Sequence, residues 1–484
     1  MEVNAAFLQL FALFSFIASF TQAVKYTPDW KSLDSRPLPA WYDESKIGIF
    51  LHWGLFSVPA YKSAWFVYFY NHNYPDYVKF VHDNYGPDFT FADFAPLFHA
   101  TFYNPDGWAD IFEASGAKYV VLVTKHHEGF TLWPSNHSWN WNAGDVGPKR
   151  DLVAELATAV KKKKDMHFGV YHSLFEFFNP LYLADKKNNY KTQDFVRNKA
   201  LPELYELVNN YKPDVIWSDG DWEAPDTYWN STEFIAWLYN ESPVKDTVVT
   251  NDRWGNNTRC HHGGFWNCHD KFNPGKLFTP KWENCMTVDK RAWTHRRDVT
   301  AEDCNTVNEL ITVMAETVSC GGNLLMNVGP SADGRIIPIF EQRLRQFGAW
   351  MKVNGEAIYK SKPWHTQSDT FDKEVWYTSK KDVNGTSVYA IILSWPEYNV
   401  LTLGAPVTGP NTVIEMLGYS KPFQFYSGLN NTIEVVFPKI PVTMMPSYDA
   451  WVLKMTNLAN QHVPTGHKPA RDAFVQPIDM IDFL

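Results

Sequence analysis

The chain has 484 residues, too many for one ordinary domain, and the usual domain size divides it into two or three. Hydrophobic content of 45% and aromatic content of 16%, carried by 21 Trp, 24 Tyr and 34 Phe, exclude disorder and predict aromatic-rich pockets. A net charge of -9 argues against a phosphate-binding surface and so against nucleic acid as a partner.

Residues 5 to 20 form one apolar stretch, and Thr21-Gln22-Ala23 after it has the small residues at alternate positions that a signal peptidase takes, so cleavage is expected after Ala23. The stretch is short for a membrane anchor, and nothing later in the chain reads as a bilayer span. Beyond it, apolar β-type runs alternate with helical stretches, the pattern of βα units around a parallel sheet. The strands are read at Ile47 to Trp53, Tyr119 to Lys125, His167 to His172, Asp214 to Asp219, Thr247 to Arg253, Trp282 to Asp289 and Asn323 to Gly329. Helices are read at Leu152 to Lys163, Thr192 to Asn210, Thr232 to Tyr239, Asn305 to Val318 and Ile339 to Val353. The run Lys161-Lys162-Lys163-Lys164 is the solvated end of the first of these.

Seven strands are visible and an eighth is not, yet number and length suit a (β/α)₈ barrel. An open nucleotide-binding sheet is disfavoured because no G-x-G-x-x-G follows the first strand. From Glu374 to Leu453 the pattern changes to short strands (Val375 to Thr378, Ser387 to Ser394, Thr412 to Met416, Thr432 to Val436, Ala450 to Leu453) separated by Gly, Pro and Asn turns, which predicts an antiparallel β-sandwich. The expected organisation is a signal peptide (1–23), a catalytic barrel (24–360), a C-terminal sandwich (361–456) and an extended tail (457–484).

Six sequons, at Asn136, Asn230, Asn240, Asn256, Asn384 and Asn430, agree with a secretory route and are expected glycosylation sites. Five cysteines, Cys260, Cys268, Cys285, Cys304 and Cys320, lie close together, and the odd count leaves at least one unpaired within the chain. The short loop from Cys260 to Cys268 is the expected bridge. A zinc site from Cys260, His261, His262, Cys268 and His269 matches no common finger spacing and is disfavoured in an oxidising lumen.

The strand at 214–219 ends on Asp219 beside Gly220 among indoles, and side chains at the C-terminal ends of barrel strands point into the active site. Helix capping is the bland alternative for this carboxylate. The flanking Trp217 and Trp222 suit sugar faces and are expected to raise a nearby carboxyl pKa by desolvation. The other strand ends carry His52-Trp53-Gly54, Lys125-His126-His127-Glu128, Tyr171-His172 and Asn251-Asp252-Arg253-Trp254, with Asp270 and Glu283 farther on. Imidazoles, phenols, indoles, a guanidinium and carboxylates without a phosphate loop describe a polyhydroxylated neutral ligand, and two carboxyls are what glycoside hydrolysis commonly needs. A metal reading of His126 and His127 is poor, because neighbours on a strand point to opposite faces.

From Tyr26 to Lys454 the chain resembles the α-L-fucosidases of glycoside hydrolase family 29. The resemblance rests on Gly48-Ile49-Phe50-Leu51-His52-Trp53-Gly54, Lys125-His126-His127-Glu128-Gly129-Phe130, Pro213-Asp214-Val215-Ile216-Trp217-Ser218-Asp219-Gly220, Asn251-Asp252-Arg253-Trp254-Gly255 and Gly321-Gly322-Asn323-Leu324-Leu325-Met326-Asn327-Val328-Gly329-Pro330. It implies a retaining mechanism in a barrel with a C-terminal sandwich, fucosylated glycans as substrates and no cofactor or metal. It leaves a homo-oligomer open, and with the leader it places the protein in the secretory pathway, lysosomal or extracellular. By position, Asp219 matches the nucleophile. Asp270 is favoured as acid/base over its competitor Glu283, and His52, Trp65, His126, His127, Tyr171, Arg253 and Trp293 match sugar-holding positions. One departure stands out: where the family usually shows Gly-Ser-Glu-Trp, its Glu bonded to fucose hydroxyls, this chain has Lys62-Ser63-Ala64-Trp65. Loss of a charged acceptor costs on the order of 1.5 to 3 kcal/mol, ten- to a hundredfold in affinity. A secreted fucose-binding protein that has lost catalysis is therefore the second reading.

Overall fold

The computed structural model describes residues 24–383 and 385–462, so the expected signal peptide, the sequon at Asn384 and the end of the tail lie outside the described residues. Seven parallel strands, β1 (Ile47–Leu51), β2 (Tyr119–Lys125), β3 (His167–Ser173), β4 (Val215–Asp219), β5 (Val249–Thr250), β6 (Trp282–Thr287) and β7 (Gly322–Val328), form one sheet in the order β5-β4-β3-β2-β1-β7-β6. The gap between β5 and β6 is spanned by an extended pair that sequence periodicity does not reveal. Phe265 N–H donates to Thr250 O at 3.0 Å, Trp266 N–H to Lys281 O at 2.9 Å, and Glu283 N–H to Trp266 O at 2.9 Å. This two-residue rung closes the ring, and its brevity explains why no eighth apolar run is visible.

Strand periodicity sorts the barrel interior from its outer face. Tyr119, Val121, Val123, Val215, Trp217, Phe50, Tyr171 and Leu325 pack inside the ring, whereas Ile49, Leu51, Val120, Leu122 and Ile216 face the surrounding helices. Gly48 is required at the bottom of this interior, since a Cβ there would sit 2.4 Å from the Tyr119 ring. β5 is shorter than its seven-residue reading at both ends: Thr247 N–H turns back to Val244 O at 3.0 Å, and Asn251 leaves the ladder, its side chain bonding both backbone groups of Ser218. The helix expected from Thr192 to Asn210 contains a π turn at Val196–Ala200 ahead of Leu201–Tyr211. Pro202 lacks the N–H that a regular helix needs there, and a wider turn re-routes the preceding carbonyls.

The C-terminal strands form two antiparallel sheets, β12-β15-β10-β9-β8 and β11-β14-β13, where β8 is Lys362–Ser368, β9 Val375–Asp382, β10 Gly385–Ile392, β11 Val400–Leu403, β12 Val413–Met416, β13 Gln424–Ser427, β14 Ile433–Val436 and β15 Trp451–Thr456. Trp364, Tyr377, Val388, Leu403, Val435 and Leu453 fill a core of their own. β8 and β13, polar or largely exposed, lack the apolar alternation that marks the other strands, whereas β11 alternates, with Leu401 and Leu403 buried, but over only four residues. Contacts such as Trp350 Nε1–H to Ala450 O at 2.9 Å and the Asn308 amide to Leu393 O at 3.0 Å join these sheets to the barrel helices. No helix among the described residues is long and apolar enough to cross a membrane.

Candidate active site

A cavity of about 930 Å³ opens at the C-terminal ends of the strands, lined by His52, Trp65, His126, His127, Tyr171, Asp219, Arg253, Asp270 and Trp293 among others. They arrive from several strand ends and loops, so residues more than 200 positions apart share one space. Along β4 the inward positions are Val215, Trp217 and Asp219, and this period of two carries the last of them to the cavity floor.

Arg253 organises the floor. Its guanidinium is almost fully buried over the Trp217 ring, 4.6 Å from the centroid. One nitrogen donates to Asp219 Oδ1 at 3.0 Å and the other to Asp270 Oδ1 at 2.7 Å, so a single cation bridges the two carboxylates. Tyr171 OH donates to Asp219 Oδ2 at 2.8 Å, Arg259 Nη2 stands 3.4 Å from Oδ1, and His127 Nε2 lies 3.8 Å from Oδ2. Burial alone would raise the Asp219 pKa, but the Arg253 and Arg259 guanidiniums, with the Tyr171 hydroxyl, hold it well below the usual carboxylate range. The indole desolvation read from the sequence is therefore overruled by paired cations. Asp219 is ionised and only 7% exposed, while the Asp270 side chain, 23% exposed, faces the opening.

Glu283 lies elsewhere. It is the second residue of β6, inward-facing but two layers beneath Thr287, and it does not line the cavity. Tyr119 OH at 2.6 Å, Tyr42 OH at 2.8 Å, Trp217 Nε1–H at 2.9 Å and the Asn267 amide at 3.2 Å all donate to it, and burial raises its pKa. Its geometry is that of a buried acceptor at the bottom of the barrel.

The side chains expected to hold the sugar, His52, Trp65, His126, His127, Tyr171, Arg253 and Trp293, all line the cavity, and the expected strand alternation of His126 and His127 needs correcting. β2 ends at Lys125, and in the turn beyond it His126 and His127 both face the cavity with ring centroids 4.0 Å apart, so they do not alternate as strand neighbours would. His127 Nδ1 pairs with Ser173 Oγ at 2.6 Å and His52 Nδ1 with Asn327 Oδ1 at 2.7 Å. Burial pushes His52 down to about 3 and holds His127 well below the ordinary imidazole range, so both are neutral. Trp65 stands edge-on to His127 at 5.2 Å, and Trp293 lies 5.2 Å from His52 across the cavity. Ala64 is in the wall beside Trp65, so the departure from the family pattern falls inside the site, and Lys62 two residues earlier is ion-paired with Asp76 at the rim.

Arg259 is a neighbour of Asp219 that sequence reading missed. It is fixed by Asp221, at 2.9 Å from Nε to Oδ2, and its ring-side partner is Trp222. The only sequence signal is indirect: Asp219 and Asp221, two residues apart at one strand end, demand a second buried cation. Cys285 in the cavity wall was equally unmarked. Cys260 and Cys268 are disulfide-bonded, and Cys285, Cys304 and Cys320 are free and buried. Among the described residues, the one grouping compact enough for a metal ion is Asp252 with Cys260 and Cys268, whose sulfurs the bridge occupies. Of the sequons, Asn136, Asn256 and Asn430 are exposed, whereas Asn230 and Asn240 are half-buried with side chains bonded to Gln193 and Tyr26.

A family model described as alpha-L-fucosidase matches residues 13–356, and one described as alpha-L-fucosidase C-terminal domain matches residues 367–456. The chain is 55% identical over 435 residues to human tissue alpha-L-fucosidase, covering 90% of this chain and 92% of that one. To human plasma alpha-L-fucosidase it is 54% identical over 439 residues, covering 90% and 93%. Among solved structures, Thermotoga maritima alpha-fucosidase in complex with a mechanism-based inhibitor is similar with a TM-score of 0.76 and 30% identity, over 89% of this chain and 99% of that one.

Proposed function

Because the chain belongs to the α-L-fucosidases of glycoside hydrolase family 29, we propose that it removes terminal α-L-fucose from glycoproteins, glycolipids or oligosaccharides with retention of anomeric configuration. Asp219 attacks the anomeric carbon while Asp270 protonates the departing oxygen, giving a fucosyl-Asp219 ester. Asp270 then draws the proton from a water that displaces Asp219. The observation that carries this reading is the Arg253 bridge, which brings one ionised, buried carboxylate and one at the opening onto the same guanidinium. Retaining enzymes place their carboxyls about 5 Å apart, too close for a water to act directly between them. Tyr171 and Arg253 hold Asp219 ionised for attack, and the neutral His52 and His127, with His126, Trp65 and Trp293, take the sugar's hydroxyls and faces. The solved relative bound to a mechanism-based inhibitor supports a covalent step, and the tissue and plasma relatives support a lysosomal or extracellular location.

Hydrolysis of 4-nitrophenyl α-L-fucoside followed by proton NMR tests this. The first-formed sugar is expected to be the α anomer. Release of the β anomer would refute retention, and tight fucose binding without any release would favour the glycan-binding reading that Ala64 raises.

A further inference from the structure

Three consecutive residues after β5 grip three different parts of the site. Asn251 bonds the backbone N–H and C=O of Ser218, directly before Asp219, and Arg253 bridges Asp219 and Asp270. Asp252, between them, is fully buried and bonded to neither carboxylate. Its Oδ2 accepts the backbone N–H of Cys260 at 2.8 Å and of Cys268 at 3.1 Å, and its Oδ1 that of Asn267 at 3.0 Å.

These contacts fall at both ends of the loop closed by the Cys260–Cys268 disulfide. Arg259, which touches Asp219, directly precedes one end; Asp270 stands two residues beyond the other. Cys260, Cys268 and Lys271 carry φ values of 58°, 55° and 57°, left-handed conformations that residues with a Cβ rarely adopt and that persist only where the surroundings impose them. A disulfide fixes two sulfurs and leaves the peptide planes free to turn. The Asp252 carboxylate fixes the planes, and with them the direction in which the chain enters Asp270.

Resting on the reading of Asp270 as acid/base, we infer that Asp252 is a positioning residue for it. Its carboxylate sets the register of the 260–268 loop, so that the Asp270 carboxyl meets the leaving oxygen. The substitution Asp252→Asn keeps the volume but sets an amide NH₂ against backbone N–H groups, breaking at least one of the three contacts.

The test is a series of aryl α-L-fucosides of increasing leaving-group pKa, from 2,4-dinitrophenyl to phenyl, on the full-length protein, with Asp270→Ala alongside. Protonation of the leaving group contributes roughly 10²–10⁴-fold where it is needed. Asp252→Asn should lose on the order of a hundredfold on the phenyl fucoside and under about tenfold on the dinitrophenyl one, a weaker copy of the Asp270→Ala bias. Asp252→Glu, which retains the charge and moves it by one methylene, should show the same bias with a near-native melting temperature. If Asp270→Ala is selective for poor leaving groups while both Asp252 variants lose all substrates equally, Asp252 is only a structural residue and the inference is overturned. If Asp270→Ala is itself unselective, the acid/base reading and this inference fall together.

Discussion

Replacing Arg253 by Met removes the cation shared by Asp219 and Asp270 while leaving a side chain of similar length against Trp217. With the guanidinium nitrogen 3.0 Å from Asp219 Oδ1, the charges are separated by about 4 Å, and at an effective dielectric of about 20 their attraction is about 4 kcal/mol. That corresponds to about a thousandfold in the Asp219 acid dissociation constant. Asp219 keeps Tyr171 at 2.8 Å and Arg259 at 3.4 Å, so the carboxyl moves up without losing every partner. In the unaltered protein Asp219 is held well below the usual carboxylate range, and its protonation lies below the acid limb seen in ordinary buffers. In Arg253→Met an acid limb should enter that window, with kcat/KM for 4-nitrophenyl α-L-fucoside falling as the pH drops. Arg259→Met, which removes a longer contact, should move the limb less. A kcat/KM profile for folded Arg253→Met with the same acid limb as the parent would show that Arg253 does not set the charge of Asp219.

Asp219→Gly should abolish turnover with little change in melting temperature, because the side chain opens onto the cavity, and azide should restore part of the activity by attacking from the vacated side. Substantial activity without azide would remove Asp219 from its role. Ala64→Glu should tighten a fucose-mimicking iminosugar by up to about a hundredfold if the wall beside Trp65 lacks an acceptor; an unchanged inhibition constant in the folded variant would show that another group already serves. Acid should destabilise the fold through its buried neutral imidazoles. Burial holds His52 at about 3 and His172 at about 4, below the ordinary value of about 6.5. Between these limits the unfolded chain takes up protons that the folded one refuses, so stability falls as pH falls, by up to about 1.4 kcal/mol per pH unit for each group. His172→Gln should therefore flatten the decline in melting temperature between pH 6.5 and 4, and an unaltered decline would show that His172 does not contribute.

Much of the architecture is legible because its signals are local. β2 coincides with its seven-residue apolar run, and Asp219 could be singled out because a carboxylate, a glycine and two indoles meet at the end of one short strand. The features that escaped are those set by partners far along the chain. Phe265 and Trp266 close the barrel with two residues, too few for any periodicity, and are defined by bonds to β5 and β6. Arg259 gains its meaning only when the loop after β5 folds back on Asp219 and Asp221. Glu283 read as a strand-end carboxylate because sequence marks a strand better than its direction toward the site; it stands at the opposite end of β6, among Tyr42, Tyr119 and Trp217. The Asp219 pKa was misread for the same reason, since neighbouring indoles are visible in sequence and distant guanidiniums are not.

Retention through a double displacement requires Asp219 to become covalently bonded to fucose. Incubation with 2-deoxy-2-fluoro-α-L-fucosyl fluoride, whose fluorine slows hydrolysis of the glycosyl-enzyme, followed by peptide mass spectrometry tests it most directly. One fluorofucosyl group per chain is expected, on the peptide containing Val215-Ile216-Trp217-Ser218-Asp219 and localised to the Asp219 carboxylate. An adduct on any other side chain, or turnover of the fluoride with no covalent adduct at all, would contradict it.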